Sequence, residues 1–170
     1  MSGSDLTSAA KLIVKSAYIT SGQRCTCSRR LILKAGEEGN AVLDALTTLI
    51  DRIMVDKPDA QPQPFIGPLI SAHAASQVLA TQTEWLRNGG IAIRESKQLP
   101  LGPAYLSPGL IDVTALAEVG GRAADAIRLS VPGGRGSLPS TRRVTSDEVS
   151  RLVPGVRAGR GGVVFWDMRA

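Results

Sequence analysis

The amino-acid sequence predicts an α/β layer fold with a mostly parallel sheet, running on into an irregular Arg/Gly-rich tail. Three observations lead there. Apolar residues recur at helical spacing in three stretches, short Leu/Ile/Val runs fall between and after them, and glycine or proline clusters mark the joins. Helices alternating with short apolar strands suit a sheet covered by helices, and strands joined through helices run parallel.

The first helix is capped by Ser4 or Asp5, and Leu6, Ala10, Ile13 and Ala17 form its inner stripe. Ser21-Gly22 stops it, with glycine as the C-terminal signal. Leu31-Ile32-Leu33 then reads as a buried strand, too short and apolar to alternate. A second helix is expected from about Glu37 to Met54, with Val42, Leu46, Leu49 and Ile53 inward and Glu37 and Glu38 at its positive end. Four prolines and a glycine between Asp56 and Pro68 make that stretch a loop. Ser71 caps a third helix that runs to about Asn88, where Asn88-Gly89-Gly90 ends it; Ala75, Val78, Leu79, Trp85 and Leu86 are its core contacts. Ile91-Ala92-Ile93 and Leu110-Ile111-Asp112-Val113 are the next strands.

Composition bounds the class of protein. The 170 residues suffice for one domain with a real core, and 43% apolar with 21% charged residues is a globular balance. No apolar run approaches the roughly 18–20 residues that span a bilayer, so no membrane partner is expected. The N-terminus lacks the basic start and apolar stretch of a secretory signal, so a cytoplasmic address is expected. Charge is unevenly placed. Residues 1–119 hold 11 Lys or Arg and 11 Asp or Glu, whereas 120–170 hold 9 Arg, no Lys, 4 acids and 9 of the 18 glycines, so the net +5 belongs to the tail. Residues 5–119 are therefore expected to form the organised domain, with 120–170 a divergent basic tail, partly disordered or the product of a shifted reading frame. Phosphate contacts from Gly133-Gly134-Arg135-Gly136 and Arg142-Arg143 would make the tail a weak nucleic-acid binder. That partner is disfavoured, because only Phe165 and Trp166 there could stack on bases and +5 is a modest footprint.

Chemistry concentrates around Cys25, in Ser21-Gly22-Gln23-Arg24-Cys25-Thr26-Cys27-Ser28-Arg29-Arg30, between a helix end and a strand start. Arg24, Arg29 and Arg30 lie within five positions of the thiol, and nearby positive charge favours thiolate, the nucleophilic form. Two readings stand side by side: an activated nucleophile, or a pair of small buried hydrophobes, the commoner fate of unpaired cysteines. Cys25 and Cys27 are too few for a disulfide framework or a four-ligand zinc site, and no metal is expected. His73, the one histidine, would be the only possible dyad partner, and its place on the third helix reads as surface or cap.

The run from Ala17 to Leu31 resembles the catalytic-cysteine segment of the aldehyde dehydrogenase superfamily, whose nucleophile motif is Gly-Gln-x-Cys after a helix. Arg24-Cys25-Thr26-Cys27 followed by two arginines is similar, within that family, to the N-succinylglutamate 5-semialdehyde dehydrogenases of arginine catabolism. Gln63-Pro64-Phe65-Ile66-Gly67-Pro68-Leu69-Ile70-Ser71 and Leu106-Ser107-Pro108-Gly109-Leu110-Ile111-Asp112-Val113-Thr114 resemble later family segments, in order. The resemblance implies that residues 5–119 are part of the family's catalytic domain and that Cys25 is the nucleophile. It would attack an aldehyde to give a thiohemiacetal, whose carbon would pass hydride to NAD or NADP and so become a thioester, which water would hydrolyse to release the acid. It gives Cys27 no catalytic role, and leaves Arg24, Arg29 and Arg30 to tune the thiol, draw an anionic substrate or serve structure.

The departures carry expectations too. The family's glycine-rich coenzyme domain, oxyanion asparagine and general-base glutamate precede the cysteine segment, and no Gly-x-Gly-x-x-Gly occurs here. Where the family continues with Glu-x-Phe-Gly-Pro, Glu118-Val119 is followed by Gly120-Gly121-Arg122. Beyond it, Asp125-Ala126-Ile127-Arg128-Leu129 resembles a later family helix, and Val163-Val164-Phe165-Trp166 a strand. The sequence thus reads as a truncated, inactive remnant of such an enzyme. The alternative is a non-catalytic interaction fragment, whose uncovered apolar surface would drive self-association.

Overall fold

The computed structural model of the protein describes residues 3–24, 26–34, 36–114, 126–130 and 164–165. Helix α1 (Gly3–Tyr18) begins earlier than its expected caps, so Ser4 and Asp5 sit in its first turn, with Asp5 placed where a carboxylate meets the positive end of the helix. Ala10, Ile13, Val14, Ala17 and Tyr18 are buried along it at the spacing of one helical face. Strand β1 (Arg30–Lys34) follows, then helix α2 (Glu37–Ile50). The second helix stops four residues short of the expected Met54. Arg52 and Ile53 donate their N–H groups to Leu49 and Ile50 three residues back, a tightened last turn that ends the α-helix.

The Pro-rich loop is pinned. Ile66 is buried, and Phe65 and Ile66 both donate to the Met54 carbonyl (3.2 and 3.3 Å), while Leu69 N–H reaches Ala104 O at 2.8 Å. Helix α3 (Ala72–Arg87) starts as its sequence indicates, with Ser71 Oγ accepting from Ala74 N–H at 3.1 Å. Past it, Gly90 lets the chain turn tightly under the helix. A Cβ there would lie 2.9 Å from the Trp85 carbonyl oxygen, closer than any side chain tolerates.

Strands β2 (Ile91–Arg94), β3 (Leu110–Asp112), β4 (Ala126–Ser130) and β5 (Val164–Phe165) complete a five-stranded sheet in the order β2-β3-β4-β1-β5. Every pairing in it is antiparallel, which corrects the expected mostly parallel sheet. The cause is connectivity. Residues 95–109 join β2 to β3 without a helix, so these neighbours lack the crossover that parallel pairing needs. Helices α2 and α3 do separate β1 from β2, but those two strands are not neighbours: β3 and β4 lie between them. Strand β4 also replaces the helix expected around Asp125–Leu129, whereas β5 falls within the expected strand at Val163–Trp166. The remainder of the 120–170 tail lies outside the described residues.

Helices cover both faces of the sheet, as an α/β layer fold requires. Successive strand residues point to opposite sides. Leu110 packs into the main core with α1, α2, Leu31, Leu33 and Ile66, while Ile111 and Val113 turn to Trp85 of α3. A third cluster, Ala75, Val78 and Leu106, fastens α3 to the segment before β3. Between them lies a buried polar clasp. Gln82 Nε2 donates to Ser96 O (3.1 Å) and its Oε1 accepts from Ser96 N–H (2.8 Å), satisfying both backbone groups of that residue. On the surface, Arg94 holds both Asp51 carboxylate oxygens at 2.5 and 2.6 Å, and this hydrogen-bonded pairing lowers the Asp51 carboxyl below its ordinary range. Leu12, Phe65, Ile70 and Ile91 remain exposed. No helix among the described residues is long and apolar enough to cross a membrane.

Candidate active site

The segment that resembles a nucleophile motif begins where α1 ends. Tyr18 closes the helix in a buried position and donates its hydroxyl to the Gly109 carbonyl at 2.7 Å, tying the helix end to the approach to β3. Burial pushes its phenol above the ordinary range. The next four residues, Ile19–Gly22, form a single tight turn of the wrong hand. Thr20 (φ 53°, ψ 39°), Ser21 (φ 54°, ψ 31°) and Gly22 (φ 69°) are all left-handed. Glycine accepts that geometry readily, and here it must, since a Cβ at position 22 would also press on Ala17 O at 3.2 Å. Thr20 and Ser21 do not accept it readily: left-handed backbone costs roughly 1–2 kcal/mol per residue, most for a β-branched side chain.

Tertiary contacts hold the strained turn. Ser21 Oγ donates to Gly67 O at 2.8 Å. Gln23 Oε1 accepts from Ile70 N–H at 2.7 Å, and Gln23 N–H returns to Thr20 O at 3.1 Å. Both outward bonds reach the loop before α3. On the far side, Cys27 is buried, its thiol donating to Ile19 O at 3.4 Å, and Cys27 N–H donates to Arg24 O at 3.1 Å. Ser28 then ties back to α1 through Ser28 N–H to Ser16 O (3.0 Å) and the Ser16–Ser28 hydroxyl pair (2.8 Å). The chain is thus fixed at 16–23 and again at 27–28.

Cys25, the expected nucleophile, falls between those anchors in sequence and lies outside the described residues. Cys27 is buried and forms no disulfide. Arg24 is exposed, and Arg29 and Arg30 are half-buried at the entry to β1. His73 is exposed in the first turn of α3, whose cap is Ser71. No group of three or more metal-ligating side chains occurs among the described residues. A shallow cleft opens beside the left-handed turn, where Tyr18, Ser21 and Gly22 face Gly67, Ser96 and Ser107.

Sequence reasoning missed the hand of the turn and its latches. Gly22 hinted at positive φ, but Thr20 argues against it. The Gln23–Ile70 contact joins residues 47 positions apart with no local signal.

The first helix of this α/β core ends in the left-handed Thr-Ser-Gly turn, and Gln23-Arg24-Cys25 follows it in the sequence. Residues 1–119 match the model of the aldehyde dehydrogenase family, and the chain belongs to that family. It is similar to N-succinylglutamate 5-semialdehyde dehydrogenase 1 of Caulobacter vibrioides, 53% identical over 110 residues that make up 65% of this chain and 23% of that protein. It is also similar to the N-succinylglutamate 5-semialdehyde dehydrogenase of Serratia proteamaculans, 44% identical over 115 residues, 68% of this chain and 24% of that one. The chain therefore spans about a quarter of the length of the curated relatives it matches.

Proposed function

We propose that this chain carries the nucleophile segment for NAD(P)-dependent oxidation of an aldehyde, with N-succinylglutamate 5-semialdehyde as the substrate and Cys25 as the attacking thiol. The observation that carries the reading is the turn ahead of Gln23-Arg24-Cys25, left-handed at Thr20 and Ser21 and hydrogen-bonded to the loop before α3. Strain of this kind collects at functional sites. The names of the two relatives support the substrate class.

In the proposed step, the Cys25 thiolate forms a bond to the aldehyde carbon, and the carbonyl π electrons move to oxygen. A proton then gives the thiohemiacetal, with no net change in oxidation state. The oxyanion needs hydrogen-bond donors aimed at where its charge develops.

NAD or NADP is the proposed electron acceptor, but the described residues offer it no cradle. The cleft beside the turn has no helix N-terminus or glycine-rich strand–helix turn in its lining to meet a pyrophosphate. The remaining steps are accordingly left to residues other than these. By itself this chain is proposed to reduce nicotinamide little or not at all.

Site-resolved alkylation against pH tests the nucleophile. Cys25 is expected to react as thiolate well below the roughly 8.5 pKa of a free cysteine, with the signal gone in Cys25→Ala. An ordinary free-cysteine profile would remove the proposal's basis. The exposed Leu12, Phe65, Ile70 and Ile91 motivate a second proposal, that copies of the chain associate.

A further inference from the structure

We propose that Asn88-Gly89, at the C-terminal end of α3, is a site of spontaneous covalent modification, where Asn88 loses ammonia through a cyclic imide and becomes isoaspartate or aspartate. The isoaspartate form then loosens the joint between α3 and β2.

Three features of the pair favour the reaction. Asn88 and Gly89 are both exposed, and the Asn88 carboxamide makes no hydrogen bond among the described residues. Gly89 has no side chain to obstruct its nitrogen, and nothing lies within 4 Å of the place a Cβ would take. The pair also sits at a helix end. With Asn88 at ψ 6°, the Gly89 N–H turns back to the Leu86 carbonyl at 3.2 Å, so the ring closes once that bond opens. Helix ends open at little cost in free energy.

The atoms balance with water as the co-reactant. The Gly89 backbone nitrogen bonds to Asn88 Cγ, the bond from Cγ to Nδ2 breaks, and ammonia departs with the Gly89 proton, leaving the imide. Water then cleaves one of the two C–N bonds of the ring. Cleavage at Cγ gives aspartate. Cleavage at the main-chain carbonyl gives isoaspartate, whose backbone runs through Cβ and Cγ and is one carbon longer. Nothing is oxidised or reduced.

The packing beside the pair makes that extra carbon matter. Gly90 N–H donates to Trp85 O at 2.9 Å, and a Cβ on Gly90 would lie 2.9 Å from the same oxygen and 3.3 Å from Ile111 Cγ2. Trp85 in turn packs with Ile111 and Val113. A backbone lengthened at position 88 moves Gly90 off this close seat, whereas aspartate leaves the chain path unchanged. Both products also place a carboxylate at the negative end of α3, which the helix dipole disfavours. Asn40 supplies the contrast within the same chain: it is exposed too, but it lies inside α2 and Ala41 follows it.

The test ages the full chain at pH 8 beside Asn88→Gln, whose longer side chain closes a ring far less readily. Peptide mass spectrometry follows deamidation at each asparagine, enzymatic methylation counts isoaspartate, and amide hydrogen exchange reads Gly90. Asn88 is expected to deamidate about ten-fold faster than Asn40 or more, a barrier lower by about 1.4 kcal/mol. Gly90 exchange should rise in step with the isoaspartate fraction and stay fixed in Asn88→Gln over the same time. Equal rates at Asn88 and Asn40 would overturn the site. Isoaspartate at position 88 with Gly90 exchange unchanged would overturn the loosened joint.

Discussion

Replacing Tyr18 with Phe removes one oxygen atom from the buried junction between α1 and the approach to β3. The lost contact is the 2.7 Å bond to the Gly109 carbonyl, and the substituted ring leaves that acceptor without its partner. A buried acceptor stripped of its donor costs about 1–3 kcal/mol, and the ring itself keeps its packing, so that range is the whole expected loss at neutral pH. The pH dependence sharpens the prediction. Burial raises the Tyr18 phenol in the folded chain above its unfolded value of 10.0. Its contribution is complete below that unfolded value and is lost as pH rises toward the folded one, because only the unfolded chain gains by ionising. Each pH unit in this window removes about 1.4 kcal/mol from the Tyr18 protein and nothing from Tyr18→Phe. Urea unfolding followed by tryptophan fluorescence from pH 8 to pH 11 measures both curves. The gap between them should start at about 1–3 kcal/mol and shrink by about 1.4 kcal/mol near pH 11. A gap that stays constant across that range, or is absent at pH 8, refutes the buried, hydrogen-bonded phenol.

Gln82→Ala strips both backbone groups of Ser96 of their partner in a buried position, with an expected loss of about 2–4 kcal/mol in the same urea assay; a loss under about 0.5 kcal/mol would show that the clasp contributes little. Association of the chain should appear in sedimentation velocity as species larger than 17.8 kDa that diminish when Ile70 and Ile91 are both changed to Ser. A single 17.8 kDa species at every concentration would contradict that expectation.

The helices were legible because their signals are local. Ala10, Ile13 and Ala17 recur on one face, and Ser71 and the Asn88-Gly89-Gly90 run bracket α3 at the residues where it begins and ends. Strand identity was legible for β1, β2, β3 and β5, whereas β4 was expected as a helix. Strand direction was not legible, because pairing is decided by which strands become neighbours, and β4 comes from an Arg/Gly-rich stretch to lie between β1 and β3. A pattern of alternating helices and strands does not record that choice.

The site divides along the same line. Gln-x-Cys after a helix is a sequence motif and was found as one. The turn that supports it depends on Ser21 and Gln23 reaching residues 46 and 47 positions away, and on Thr20 taking a conformation its own side chain disfavours. Local preference loses there to tertiary bonding, which is the reason reading residues in order could not see it.

The most direct measurement asks whether Cys25 meets an aldehyde. Succinic semialdehyde, which shares the aldehyde and a carboxylate with the proposed substrate, is added during iodoacetamide labelling, with 4-hydroxybutyrate as the matching alcohol. Reversible thiohemiacetal formation should slow labelling of Cys25 as the aldehyde concentration rises, with no effect from the alcohol. Equal labelling rates with and without the aldehyde would contradict the assignment of Cys25 as the nucleophile.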